Sequence, residues 1–248
     1  EGTEPYIVGG HTASGYWVDN NRATTIEGLY AAGDVAGGCP QKYVTGALAE
    51  GEIAAEAILE YLNGKDGDRI AAENKEEALE RGGEQELSQT AIAKKAEYES
   101  HLNASRSLMN AEQLEEAMQK IMDQYAGGIG TDYRYSGMSL AKADEKIAAL
   151  LPVVDTLAAT DTYELMQIYE LRERLIVCQA VIAHLAARKE TRWHSFGENT
   201  DYPQQSEEWM KYVNSRMENG EIKILYRDLI TKENTCLLYT SPSPRDTR

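Results

Sequence analysis

The sequence predicts an α/β segment followed by a helical-bundle domain, and three observations carry that reading. Residues 1–63 are rich in Gly and Ala and hold short runs of β-forming residues. A stretch of dense charge follows, over residues 64–90. From residue 91 onward the apolar residues recur at helical spacing.

In chain order, "GYWVD" at 15–19 and "GLYAA" at 28–32 read as strands bounded by turn residues. The run "ALAEGEIAAEAILEYL" then predicts a helix from Ala47 to Leu62. Leu48, Ile53, Ala57, Ile58 and Tyr61 share its apolar face, and Gly64 closes it. Between residues 64 and 100 acids outnumber bases ten to six, which describes a solvated connector with a weak helix in it. Asn110 and Gln113 form an N-cap pair for "AEQLEEAMQKIMDQY", which Gly127 and Gly128 terminate. "SLAKADEKIAALL" sets Leu140, Ala143, Ile147 and Leu150 on one face, with Pro152 just beyond its end. Asp161 and Glu164 cap a long helix reaching about Arg188, whose apolar second half predicts the buried helix of a bundle. An aromatic-rich return segment follows, and "EIKILYRDL" reads as a terminal strand.

The composition narrows the function. A net charge of −16 over 248 residues and a pI near 4.7 argue against nucleic acid or an anionic membrane as partner. No apolar run reaches membrane-spanning length, so no direct membrane insertion is expected. The chain opens without Met and in mid-pattern, which predicts a C-terminal fragment of a longer protein. Residues 236–246 can be back-translated into codons that resemble a transposon-end sequencing adapter, and residues 236–248 are expected to be a non-native, adapter-derived tail. Ahead of that tail only Cys39 and Cys178 remain, a usage that fits a reducing cytoplasm.

The most specific stretch is "GLYAAGDVAGG". Gly33, Gly37, Gly38 and Gly46 remove side chains where a backbone must come close to a ligand. Asp34, just past the strand, can accept hydrogen bonds from sugar or ribityl hydroxyls. The helix start at Gly46–Leu48 offers unpaired N–H groups and a positive dipole end. Together these suit a flavin, with an ordinary βα turn as the plain alternative. His184 on the apolar helix reads as a satisfied core residue, while His101 and His194 give no signal. Cys39 reads as packing. Met109, Met118, Met122, Met138 and Met166 follow helical spacing and read as core.

"TTIEGLYAAGDVAGG…KYVTGALAEGEIAAEAI" resembles the last flavin-binding segment of the fumarate reductase/succinate dehydrogenase flavoprotein superfamily. "RKETRW" and "DYPQQSEEWMKYVNS" are similar to the E-[ST]-R and D-[YF]-P signatures of its helical C-terminal domain. Within the superfamily, Gly10-His11, Lys42-Tyr43 and Glu190–Trp193 resemble the adenylylsulfate reductase alpha-subunit family more closely. The resemblance implies the C-terminal part of an FAD-binding Rossmann-like domain over 1–63, the connector at 64–90 and the helical C-terminal domain over 91–235. It implies FAD as cofactor, held by Tyr6, Gly33, Asp34, Thr45, Gly46, Ala47 and Leu48.

His11 and Lys42 are the implied catalytic residues, lending positive charge to a small anionic substrate. Two cysteines cannot hold an iron–sulfur cluster, so the implied cluster belongs to a ferredoxin-like partner subunit. Fumarate and succinate enzymes of the superfamily hold their dicarboxylate with a His and an Arg. Those two positions fall on Pro5 and Lys42 in this chain, and a lysine does not form the planar fork of a guanidinium. Gln41 replaces the His that precedes the lysine in the adenylylsulfate reductase pattern. The reading of another class is a non-catalytic helical docking module carried on a vestigial flavin turn.

Overall fold

The computed structural model describes residues 15–37, 44–64, 83–104, 108–192 and 197–229. By compactness the chain divides into two units. One comprises Glu1–Ser107 with Leu157–Leu165, the other Leu108–Thr156 with Met166–Arg248.

In the first unit, the two expected strands make single bridges rather than ladders. Tyr16 pairs with Ala36 in parallel, and Ala23 pairs with Tyr30 in antiparallel fashion. Positive φ at Gly15, Arg22, Gly28 and Gly33 turns the chain too often for either run to extend. Gly33–Val35 forms a 3-10 turn, and helix α1 (Val44–Gly64) follows. Gly64 is the last helical residue rather than the residue beyond it.

The face that α1 buries differs from the expected one. Glu50 and Ala54 are its buried residues, whereas Leu48 is 69% exposed. The charged stretch carries helix α2 (Gly83–Leu102), with Lys94–Glu97 and Lys95–Glu99 ion pairs on its surface. His101 anchors its end. The ring is buried with Nδ1 2.7 Å from the carbonyl of Leu157, and the N–H of Ala159 donates to the carbonyl of His101 at 2.9 Å.

The second unit is built on helix α3 (Ala111–Tyr125), α4 (Gly137–Val154) and most of α5 (Thr162–Ala187). Asn110 and Gln113 form a reciprocal capping box at α3, and Gly127 follows its end at φ +81. Ser136 and Ser139 do the same for α4. Pro152 lies inside α4, since a proline in the last turn forfeits only the bond to the carbonyl of Ala148. The side chain of Asp161 accepts the N–H groups of Tyr163 and Glu164, both at 2.9 Å, and so starts α5.

Leu114, Met118, Leu140, Ala143, Ile147, Ile168, Leu171, Leu175 and Ile182 form the core of this unit. The second half of α5 is not enclosed as expected. Val177 and Val181 face outward, and Met138 and Met166 are exposed rather than core. A two-residue parallel pair joins β1 (Arg134–Tyr135) to β2 (Glu198–Asn199). The expected terminal strand is β4 (Glu221–Asp228). It pairs along its length with β3 (Lys211–Glu218), where the sequence predicted only a return segment. No helix among the described residues is long and apolar enough to cross a membrane.

Candidate functional site

The glycine turn and the start of α1 come together in the first unit. At Gly33 the backbone adopts φ +74, and a Cβ there would lie 3.2 Å from the Cβ of Ala47. Both the dihedral and the packing therefore demand glycine. Gly37 is equally confined, because its Cβ would stand 3.0 Å from the carbonyl oxygen of Tyr16. Asp34 is exposed on the turn. The first turn of α1 has no acidic residue, so its positive end is not neutralised from within the helix. Thr45, Ala47 and Leu48 are exposed there, and Gly46 is half-buried. Val35, Val44 and Leu48 also present apolar side chains to the surroundings.

The structure thus joins Gly33 to Ala47 and leaves Asp34 and Leu48 outward-facing. Tyr6, His11 and Lys42 lie outside the described residues, as do Cys39 and His194.

Two residues of this region escape sequence reasoning. Glu50 is buried, and its Oε2 accepts the N–H of Gly33 at 3.0 Å. Arg22 Nε stands 3.4 Å from Glu50 Oε1, in ion-pair contact without hydrogen-bond direction. An acid in an Ala- and Glu-rich helix reads as solvated, so no signal in the pattern marks Glu50.

The E-T-R and D-Y-P signatures assemble in the second unit. Glu190 is 1% exposed, and Arg192 donates to both of its oxygens at 2.9 Å. Arg188 Nη1 donates to Oε1 at 2.7 Å, and the N–H of Ser206 to Oε2 at 3.0 Å. Burial pushes the Glu190 carboxyl up, but the donors from Arg192, Ser206 and Arg188 outweigh it and hold it below the usual range. Arg188 also donates to the carbonyls of Trp209 and Lys211, both at 2.9 Å. Thr191 accepts the N–H of Asn199 at 3.0 Å and donates to the carbonyl of Tyr202 at 2.9 Å. Asp201 accepts the N–H of Gly137 at 2.7 Å, at the start of α4.

These signatures tie loops and helix ends together, which is the work of a frame. His184 is half-buried with Nε2 2.9 Å from Ser215 Oγ, and burial together with Arg188 holds it below the ordinary imidazole value. Burial likewise pushes the Cys178 thiol up, away from nucleophilic use.

Residues 112–247, more than half of the chain, match the profile of the family described as "Fumarate reductase flavoprotein C-term". The chain belongs to this flavoprotein family. The adenylylsulfate reductase subunit alpha of Megalodesulfovibrio gigas is 29% identical to it, over 86% of this chain and 35% of that protein. An uncharacterized FAD-dependent oxidoreductase of Methanocaldococcus jannaschii is 28% identical, over 83% of this chain and 35% of that one. Among solved structures, an adenosine-5-phosphosulfate reductase in complex with sulfite as a covalent adduct superposes with a TM-score of 0.68 and 31% identity. That match covers 85% of this chain and 33% of the other. The chain spans about a third of the length of the curated relatives it matches.

Proposed function

We propose that this flavoprotein-family chain is the C-terminal part of a cytoplasmic, FAD-dependent oxidoreductase subunit. It exchanges electrons between an iron–sulfur, ferredoxin-like partner and a small anionic substrate, as an adenylylsulfate-reductase-like enzyme. The observation that carries the reading is the bare Gly33 turn at the head of a helix with no acid in its first turn, where a Cβ on Gly33 would come within 3.2 Å of the Cβ of Ala47. The exposed Asp34 and the outward apolar side chains beside that turn fit a ligand both polyhydroxylated and planar.

In this reading FAD supplies the two-electron chemistry when bound. Asp34 would hold ribityl hydroxyls, and the N–H groups from Thr45 to Leu48 would offer donors to the electron-rich part of the ring system. Leu48, exposed at a position whose periodicity reads as core, would be among the residues that hold the ring. Tyr6 completes the flavin contacts. His11 and Lys42 would lend positive charge to the substrate anion in an otherwise acidic protein.

The dicarboxylate reading of the same superfamily needs a guanidinium clamp, and Lys42 with Pro5 does not provide one. The test is made on the full-length protein. It should carry a flavin absorption band, turn over adenylylsulfate and reduce fumarate poorly. Lys42→Ala should lower turnover by about tenfold or more, as expected for a lost charge-assisted contact of about 1.5–3 kcal/mol. Rapid fumarate reduction would restore the dicarboxylate reading. A protein that neither holds nor takes up FAD would favour the helical docking module.

A further inference from the structure

Glu50 is 4% exposed in a helix whose other buried residue is an alanine. Enclosing a carboxylate is costly unless its oxygens gain donors, so its place needs a reason beyond packing. One oxygen takes the N–H of Gly33 at 3.0 Å, at the residue where φ +74 opens the turn that carries Asp34. The other lies 3.4 Å from Arg22 Nε. Arg22 is itself held at φ +66, with Nη1 donating to the carbonyl of Asp19 at 3.1 Å and its own carbonyl accepting the N–H of Ala31 at 3.0 Å. Glu50 stands three residues after Ala47, on the same side of α1, and Ala47 is the residue that packs on Gly33.

We infer that Glu50 is a positioning residue for flavin binding. By gripping the Gly33 amide it fixes the spacing between Asp34 and the first turn of α1, the two features that would receive the ribityl chain and the ring edge. It acts through Gly33 and touches neither cofactor nor substrate. The inference rests on the flavin reading of the turn.

Two conservative variants of the full-length protein separate reach from charge. Glu50→Gln keeps an acceptor oxygen at the same distance and loses the charge. Glu50→Asp keeps the charge and falls short of Gly33 by roughly 1.5 Å, one carbon–carbon bond. The readouts are the FAD dissociation constant, the visible circular dichroism of bound flavin, and the melting temperature of the apoprotein. Glu50→Gln should bind FAD within about threefold of the parent, while Glu50→Asp should bind about tenfold more weakly and with altered flavin dichroism. The inference is overturned if Asp is tolerated and Gln is not, since charge against Arg22 would then be the whole role. It is also overturned if both variants bind like the parent, or if both weaken together with equal losses of apoprotein stability. A parent protein that takes up no FAD refutes the flavin reading itself, a result distinct from any difference between the variants.

Discussion

Glu190 shows what one buried charge does when each oxygen has donors. Its carboxylate is enclosed, and the four N–H groups that reach it come from Arg188, Arg192 and Ser206. Such a group adds little net stability over an apolar replacement of the same shape, yet removing one partner strands the others. Arg188 is the more consequential of the stranded partners, because the same guanidinium also gathers the carbonyls of Trp209 and Lys211 and lies over the Trp209 ring. Glu190→Ala should therefore cost about 3–5 kcal/mol in urea denaturation, with the tryptophan fluorescence of Trp209 lost early. At the same scale the sequence was informative about Gly33, whose need for a bare backbone is visible in the glycine spacing. It was silent on Glu50, because burial there depends on a contact between a turn and a helix that local pattern does not encode.

Among the elements, caps were the readable features and pairing was not. Asn110 with Gln113, Asp161 ahead of Glu164, and Gly127 after α3 all act where local hydrogen-bonding chemistry placed them. The hairpin was missed although Asn219-Gly220 is a strong short-range hairpin signal; both residues sit at positive φ, +51 and +82. Lys211–Glu218 hid its strand because its partly buried positions, Val213, Asn214 and Ser215 among them, break the apolar alternation. Pro152 misled in the other direction, since a proline near a helix end costs one bond and α4 absorbs it. Two glycines in open space make the conformational argument testable. A Cβ at Gly220 or at Gly51 meets nothing within 4 Å, so packing plays no part in either substitution. Gly220→Ala should destabilise by about 1–2 kcal/mol, the cost of left-handed backbone for an L-residue. Gly51→Ala, inside α1, should stabilise by roughly 0.5–1 kcal/mol. Denaturant midpoints of the two variants moving the same way would show that backbone preference does not govern these sites.

For the whole molecule, acidity and internal charge pull stability in opposite directions as pH falls. At pH 7 the chain carries −16, so protonating exposed carboxylates relieves self-repulsion and favours the compact state. His184 and Glu190 oppose this in the second unit. Burial and Arg188 hold His184 below its ordinary value, so the unfolded chain takes up a proton first; this contribution is intact above about pH 6.5 and is lost as pH falls below it. Glu190 is also held below its unfolded value, net of burial, by Arg192, Ser206 and Arg188. Its contribution is intact above about pH 4.3 and is lost as pH falls toward the folded value. Urea midpoints of the second unit, followed by Trp209 fluorescence, should therefore decline in two stages between about pH 7 and pH 3. His184→Gln should flatten the upper stage alone, since a glutamine can still meet Ser215 and does not titrate. Glu190→Gln should flatten only the lower stage while reducing the midpoint at every pH, because an amide cannot satisfy two guanidinium groups. A midpoint that rises steadily with acidification in the parent protein would mean that relief of surface repulsion outweighs both buried groups, and the network around Glu190 would then be no acid-sensitive element of this fold.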